Sequence, residues 1–166
     1  MIHSFHSYCH RIYQSQIHIH SNSVFPLYFF LFVSILPCSA DLTRSGTIEA
    51  DEQWRVTDSP VVIEHDIEIV QGVTVSVEAG VEIRLKESVD ITVLGEFDAQ
   101  GTVDLPIHFV SDGDPRWGMI AYEREGTGLL RHCYFDRGSY ASDHRIGVVN
   151  AYKCTATVII DSCTFT

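Results

Sequence analysis

Val73-Thr-Val-Ser-Val-Glu-Ala-Gly80-Val-Glu-Ile-Arg-Leu-Lys-Glu-Ser-Val89-Asp-Ile-Thr-Val93 places an apolar residue at nearly every odd position and a polar or charged one at nearly every even position. That period of two belongs to strands with one side buried and one side wet. It extends in both directions. Val61, Ile63, Ile67, Ile69, Phe97, Val103, Leu105, Ile107 and Phe109 keep the same parity, and only Val62, Val70 and Leu94 are large apolar residues on the other. His65 falls on the inward parity and reads as a satisfied polar residue near a corner. Turns at 71–72, 78–80, 86–88, 94–96 and 100–101 interrupt the run about every eight residues without changing its parity. Val73, Val81, Val89 and Phe97 thus hold equivalent positions, as do Val75, Ile83, Ile91 and Ala99.

Two architectures fit: an antiparallel meander or sandwich, and a parallel β-helix in which three strands complete a coil of roughly two dozen residues. No Asn-Gly or Asp-Gly reversal lies between these strands, which weighs against hairpins. Leu130-Arg-His-Cys133-Tyr-Phe135 and Ile160-Asp-Ser-Cys163-Thr-Phe165 repeat an apolar-x-x-Cys-x-Phe pattern thirty residues apart, the signature of a stacked internal ladder. Gly72, Gly80, Gly95 and Gly101 sit at corners, where a positive φ or a missing Cβ lets the backbone bend.

The stretch from Val73 to Ile83, followed by Gly95-Glu-Phe-Asp-Ala99-Gln-Gly101-Thr102 and Pro106-Ile107-His-Phe109, resembles secreted bacterial and archaeal right-handed parallel β-helix proteins. In that family a Glu-Pro-Gly turn leads into a Gly-x-Leu-x-Ala-x-Gly-Thr-x-x-x-Pro-Ile-x-Phe coil and then a Trp-Gly-Gly-Ile strand. Here Ala79 replaces the turn proline, and Trp117-Gly118-Met119-Ile120 carries Met for the second Gly. The resemblance covers roughly residues 45–165. It implies an all-β, right-handed parallel β-helix, a single-stranded solenoid of about five coils each rising ~4.8 Å. Residues 61–166 form the coils and 41–60 an N-terminal cap over the first exposed edge. The pattern stops mid-coil at Thr166, so the expected solenoid is truncated at that end or completed by a partner.

The chain has 166 residues and a formal net charge of −11, with 22 acids against 11 Lys and Arg. No basic surface exists for a phosphate backbone, which excludes nucleic acid as a partner class. Residues 1–40 contain no acid and a single base, Arg11, while all 22 acids follow Ala40. The apolar run 24–37 and the small residues Cys38-Ser39-Ala40 read as a signal peptide cut before Asp41. The run is too short for a spanning helix, so no stable membrane span remains after cleavage. Residues 1–23 read as an over-extended start whose scattered His3, His6, His10, His18 and His20 have no metal-site order. A lipoprotein cysteine at Cys38 is the minority reading. The localisation expected is secreted or cell surface. In the mature segment Cys133, Cys154 and Cys163 are odd in number, lack a CxxC pair, and read as buried free thiols.

No GxSxG, HExxH, P-loop or GxGxxG motif occurs, and no catalytic residue is assigned. The candidate ligand-binding residues are Trp117 as a sugar-stacking ring, Glu64, Asp66 and Glu68 on one outward stretch, and Asp112 and Asp114 flanking Gly113. Core packing for Trp117 and a solvated face for the carboxylates are the plainer readings. No metal or cofactor is assigned; Asp112-Gly113-Asp114 offers only weak calcium chelation, without the later Glu of a loop site. Asp143-His144-Arg145 resembles a catalytic triplet but lies in a Gly/Ser-rich connection. The function expected is a non-catalytic β-helix scaffold for polysaccharide or surface-protein interaction. Two alternatives remain: a fragment of a polysaccharide lyase or glycoside hydrolase whose cleft lies on further coils, and a β-sandwich glycan-binding module.

Overall fold

A computed structural model describes residues 41–138 and 147–166. The leader, with Cys9 and Cys38, and the Asp143-His144-Arg145 triplet lie outside the described residues. From Asp41 onward the described residues form a parallel β-helix of about four turns, where about five coils were expected. Among the described residues all pairing between strands is parallel, and three walls can be followed along the axis.

The first wall stacks β2 (Glu52–Trp54), β4 (Thr74–Val77), β7 (Glu96–Gln100), β10 (Gly128–Arg131) and β13 (Val158–Asp161). The second and third walls share their first two strands, β1 (Leu42–Ile48) and β3 (Val61–Ile69), which bend from one wall into the other. After β3 the second wall continues with β5 (Glu82–Leu85), β8 (Ile107–Ser111), β11 (Cys133–Phe135) and β14 (Thr164–Phe165). The third continues with β6 (Ile91–Val93), β9 (Ile120–Tyr122) and β12 (Val149–Asn150). Residues 41–60 supply the first layer, β1 against β3 and β2 against β4.

The eight-residue interval is the length of one wall, and three walls make a coil. Val75, Ile83 and Ile91 therefore lie on successive walls, and Val75 meets Phe97 one coil later. β4 and β5 occupy different walls, which disposes of the antiparallel sandwich. Successive layers are 22 to 24 residues apart at first, from Val75 to Phe97 and Ile67 to Ile91, and 30 apart from Gly128 to Val158.

Inward residues fill the prism as the parity requires. Val61, Ile63, Ile69, Val75, Ile83, Leu85, Ile91, Val93 and Phe97 have no accessible surface. Aromatic rings run along the axis: Phe109 stacks on Phe135 with centroids 4.8 Å apart, and Phe135 on Phe165 at 4.8 Å and 9°. Leu130 pairs with Ile160, so both ends of the Cys-x-Phe repeat are in register.

Three inward expectations fail, all at corners. His65 is exposed because residues 64–66 bulge outward: one residue, Ser45, spans the step that takes three residues in β3. Val103 and Leu105 are 78% and 56% exposed. They sit in a turn closed by Thr102, whose amide donates to the Leu105 carbonyl and whose hydroxyl accepts the Leu105 amide, and this turn projects from the wall. The corner glycines act in the two ways expected. Gly80 has φ +85, a left-handed conformation, whereas a Cβ on Gly95 would collide with the carbonyl oxygens of Val70 and Val73.

Candidate functional site

The carboxylates that alternate outward do structural work at the corners. The Asp66 carboxylate accepts the Asp90 amide at 2.9 Å, and the Asp90 carboxylate accepts the Met119 amide at 2.9 Å. Asp51 does the same for Thr74 at the start of β4, and within the first wall Asp98 of β7 does so for Leu129 of β10. At a corner the backbone leaves the sheet ladder and its amides need another acceptor; a short carboxylate one layer away supplies it. An acidic outer face is thus partly a set of struts between coils.

The corner between the second and third walls forms a ridge that collects four of the five candidate carboxylates. Glu64 and Asp66 flank a shallow groove of about 490 Å³ together with Ser45, His65, Glu87 and Ser88. Two coils along the same ridge, Asp112 forms an ion pair with Lys86, and Asp114 stands 3.6 Å from Arg137. Asp112 holds the Lys86 ammonium above its ordinary pKa, through its hydrogen bond and then its charge. A calcium ion at Asp112-Gly113-Asp114 would have to displace both cations. Among the described residues no three His, Cys, Asp or Glu side chains converge as metal ligands. Glu68 lies apart, on the outer side of the third wall, in register with Thr47 and Thr92.

Trp117 occupies the core with no accessible surface, and its indole Nε1 donates to the Asp136 carbonyl at 2.7 Å. A ring with neither face exposed cannot stack on a sugar, so its role is to close the ridge onto the following coil. Cys133 is buried, while Cys154 and Cys163 are only half-buried, a correction to the expectation for these thiols.

The outer side of the second wall brings together residues not singled out from the sequence. Glu82, His108 and Tyr134 form one outward column in register, and Arg84 and Val110 lie in the next. The His108 and Tyr134 rings are neighbours, 5.5 Å between centroids and tilted by 51°. The Tyr134 hydroxyl reaches Thr166 Oγ1 at 3.2 Å. Arg84 pairs with Glu82 at 2.5 Å, which raises the guanidinium pKa, and Lys86 and Arg137 border the wall on the ridge side. The result is a flat patch with two half-buried rings and three exposed cations, each beside a carboxylate. Rings offer apolar faces, and the paired ions offer donors and acceptors, the combination that sugars and mixed-charge peptides both use.

Comparison of the chain with protein-family models, curated proteins and solved structures found no match in any of the three.

Proposed function

We propose that this protein is a secreted or cell-surface interaction scaffold, without catalysis of its own, that holds a polysaccharide against the outer side of its second wall. One observation carries the reading: His108 and Tyr134, 26 residues apart in sequence, are neighbouring outward rings on a rigid parallel sheet with Arg84, Lys86 and Arg137 around them. A sugar ring laid on Tyr134 would gain apolar contact, and its hydroxyls would find both signs of charge within reach. The parallel sheet keeps these groups in place before a ligand arrives, which lowers the ordering cost of binding. Secretion rests on residues 24–40, read as a signal peptide, with β1 beginning at Leu42 just after the expected cut.

A glycan array probed with the purified chain, with and without calcium, tests the reading. Binding to at least one polysaccharide is expected in both conditions. Tyr134→Ala is expected to weaken it about tenfold, the equivalent of ~1.4 kcal/mol. Absence of binding in both conditions, or unchanged affinity in Tyr134→Ala, would remove the glycan reading and leave a protein partner to be sought by the same patch variants.

A further inference from the structure

The second wall contains a column of inward residues, Val81, Ile107, Cys133 and Cys163, each one position before or at a paired residue of β5, β8, β11 or β14. The first two rungs are aliphatic and the last two are thiols. Their settings repeat. The Cys133 thiol donates to the Ala99 carbonyl at 3.3 Å and the Arg131 carbonyl at 3.4 Å; the Cys163 thiol donates to Leu130 and Asp161 at 3.4 Å each. Ala99 pairs with Leu130 and Arg131 with Asp161, so one thiol environment is the other shifted by a single layer.

In-register neighbours on adjacent parallel strands have Cα atoms ~4.8 Å apart, inside the ~4.4–6.8 Å range that a disulfide spans. Both Cβ atoms point the same way, into the prism. Burial first, and the neighbouring Cys163 after it, push the Cys133 thiol above its ordinary pKa. Cys154 sits elsewhere, at the corner leading from the third wall to the first, with its thiol on the Gly126 carbonyl at 3.0 Å.

We infer that Cys133 and Cys163 are a redox-active pair that closes into a disulfide stapling β11 to β14. Cys163 is half-buried and Cys133 buried, so Cys163 meets the oxidant first. With glutathione disulfide, the Cys163 thiolate attacks one sulfur, forming a mixed disulfide and releasing one glutathione thiolate. The Cys133 sulfur then attacks Cys163 Sγ, its proton passing to the departing glutathione sulfur, which forms the Cys133–Cys163 bond and releases the second glutathione as a thiol. The two cysteines give up two protons and two electrons, and glutathione disulfide takes up the electrons as two thiols. Parallel Cβ vectors leave the two Cβ atoms about as far apart as the Cα atoms, somewhat beyond the ~3.5–4.5 Å of a disulfide, so closure draws β14 slightly toward β11. The staple fixes the Phe135–Phe165 stack.

The test equilibrates the full chain in glutathione buffers from reducing to oxidising, quenches with an alkylating agent under denaturing conditions, and maps peptides without reduction. The expected result is a peptide joining Cys133 to Cys163, a mass lower by two hydrogens, and Cys154 still alkylated. Melting temperature should rise by several degrees in the oxidised form and stay unchanged by oxidation in Cys163→Ser. Full alkylation of Cys133 after oxidation, or its linkage to any other cysteine, would overturn the inference. The mapping uses the unaltered chain, so a poorly folded variant does not blunt it.

Discussion

Asp90 stands at the centre of the corner network: its amide is held by Asp66 and its carboxylate holds the Met119 amide. Met119 and Gly118 are buried, so removing the acceptor strands a donor away from water. Asp90→Ala is expected to lower stability by about 1–3 kcal/mol, read as a lower urea midpoint, whereas Glu68→Ala, on the open third wall, should leave it nearly unchanged. A Cβ at Gly118 would strike the same carboxylate, which is why the Trp117-Gly118 step tolerates no side chain there. The alternation of acids was plain in the sequence; that some of them tie one coil to the next was not, because their partners lie 23 to 31 residues away.

At the scale of the element, the walls hold together through columns of like residues, most clearly Phe109, Phe135 and Phe165. Phe135 has rings on both sides, so Phe135→Ala opens a gap between two layers and is expected to cost about 3–5 kcal/mol. Chemical denaturation followed by the fluorescence of Trp54 and Trp117, both fully buried, would report it. Most of this wall structure was legible in advance. Parity named the buried residues from Val61 to Phe109, and the Cys-x-Phe repeat named the ladder. The misses have one physical origin: His65, Val103 and Leu105 keep the parity of a strand, yet sit where the chain bulges or turns, and side-chain alternation carries no information about where a strand stops. The His108–Tyr134 pair was hidden for a related reason. Both residues have outward parity, but their meeting depends on a coil of 26 residues, longer than the 22-residue step from Val61 to Ile83, and no repeat in the sequence marks that lengthening.

For the molecule as a whole, the long narrow interior sets the alkaline limit of stability. Burial pushes the Tyr122 phenol well above its ordinary 10.0, and the Cys133 thiol well above 9.0. The folded state keeps both protons at pH values where the unfolded chain releases them. Their contribution is therefore complete below about pH 8 and declines as the pH rises through and beyond the unfolded values. Urea midpoints taken from about pH 8 to pH 11 should fall steadily, and Tyr122→Phe should make that fall shallower while costing about 1 kcal/mol at neutral pH through the lost bond to the Phe97 carbonyl.

The carboxylate struts also give the spiral a direction. Asp51, Asp66, Asp90 and Asp98 each belong to an earlier turn and receive an amide from the turn that follows; Glu78, which receives the Val56 amide one layer back, runs the other way. A ribosome delivers the chain in that same sense, so at these four positions the newly made course arrives at an acceptor already set in the course beneath it. Assembly can then proceed as masonry does, upward from a finished row, and a circularly permuted chain that emerged with the later courses first would have nothing to be laid upon.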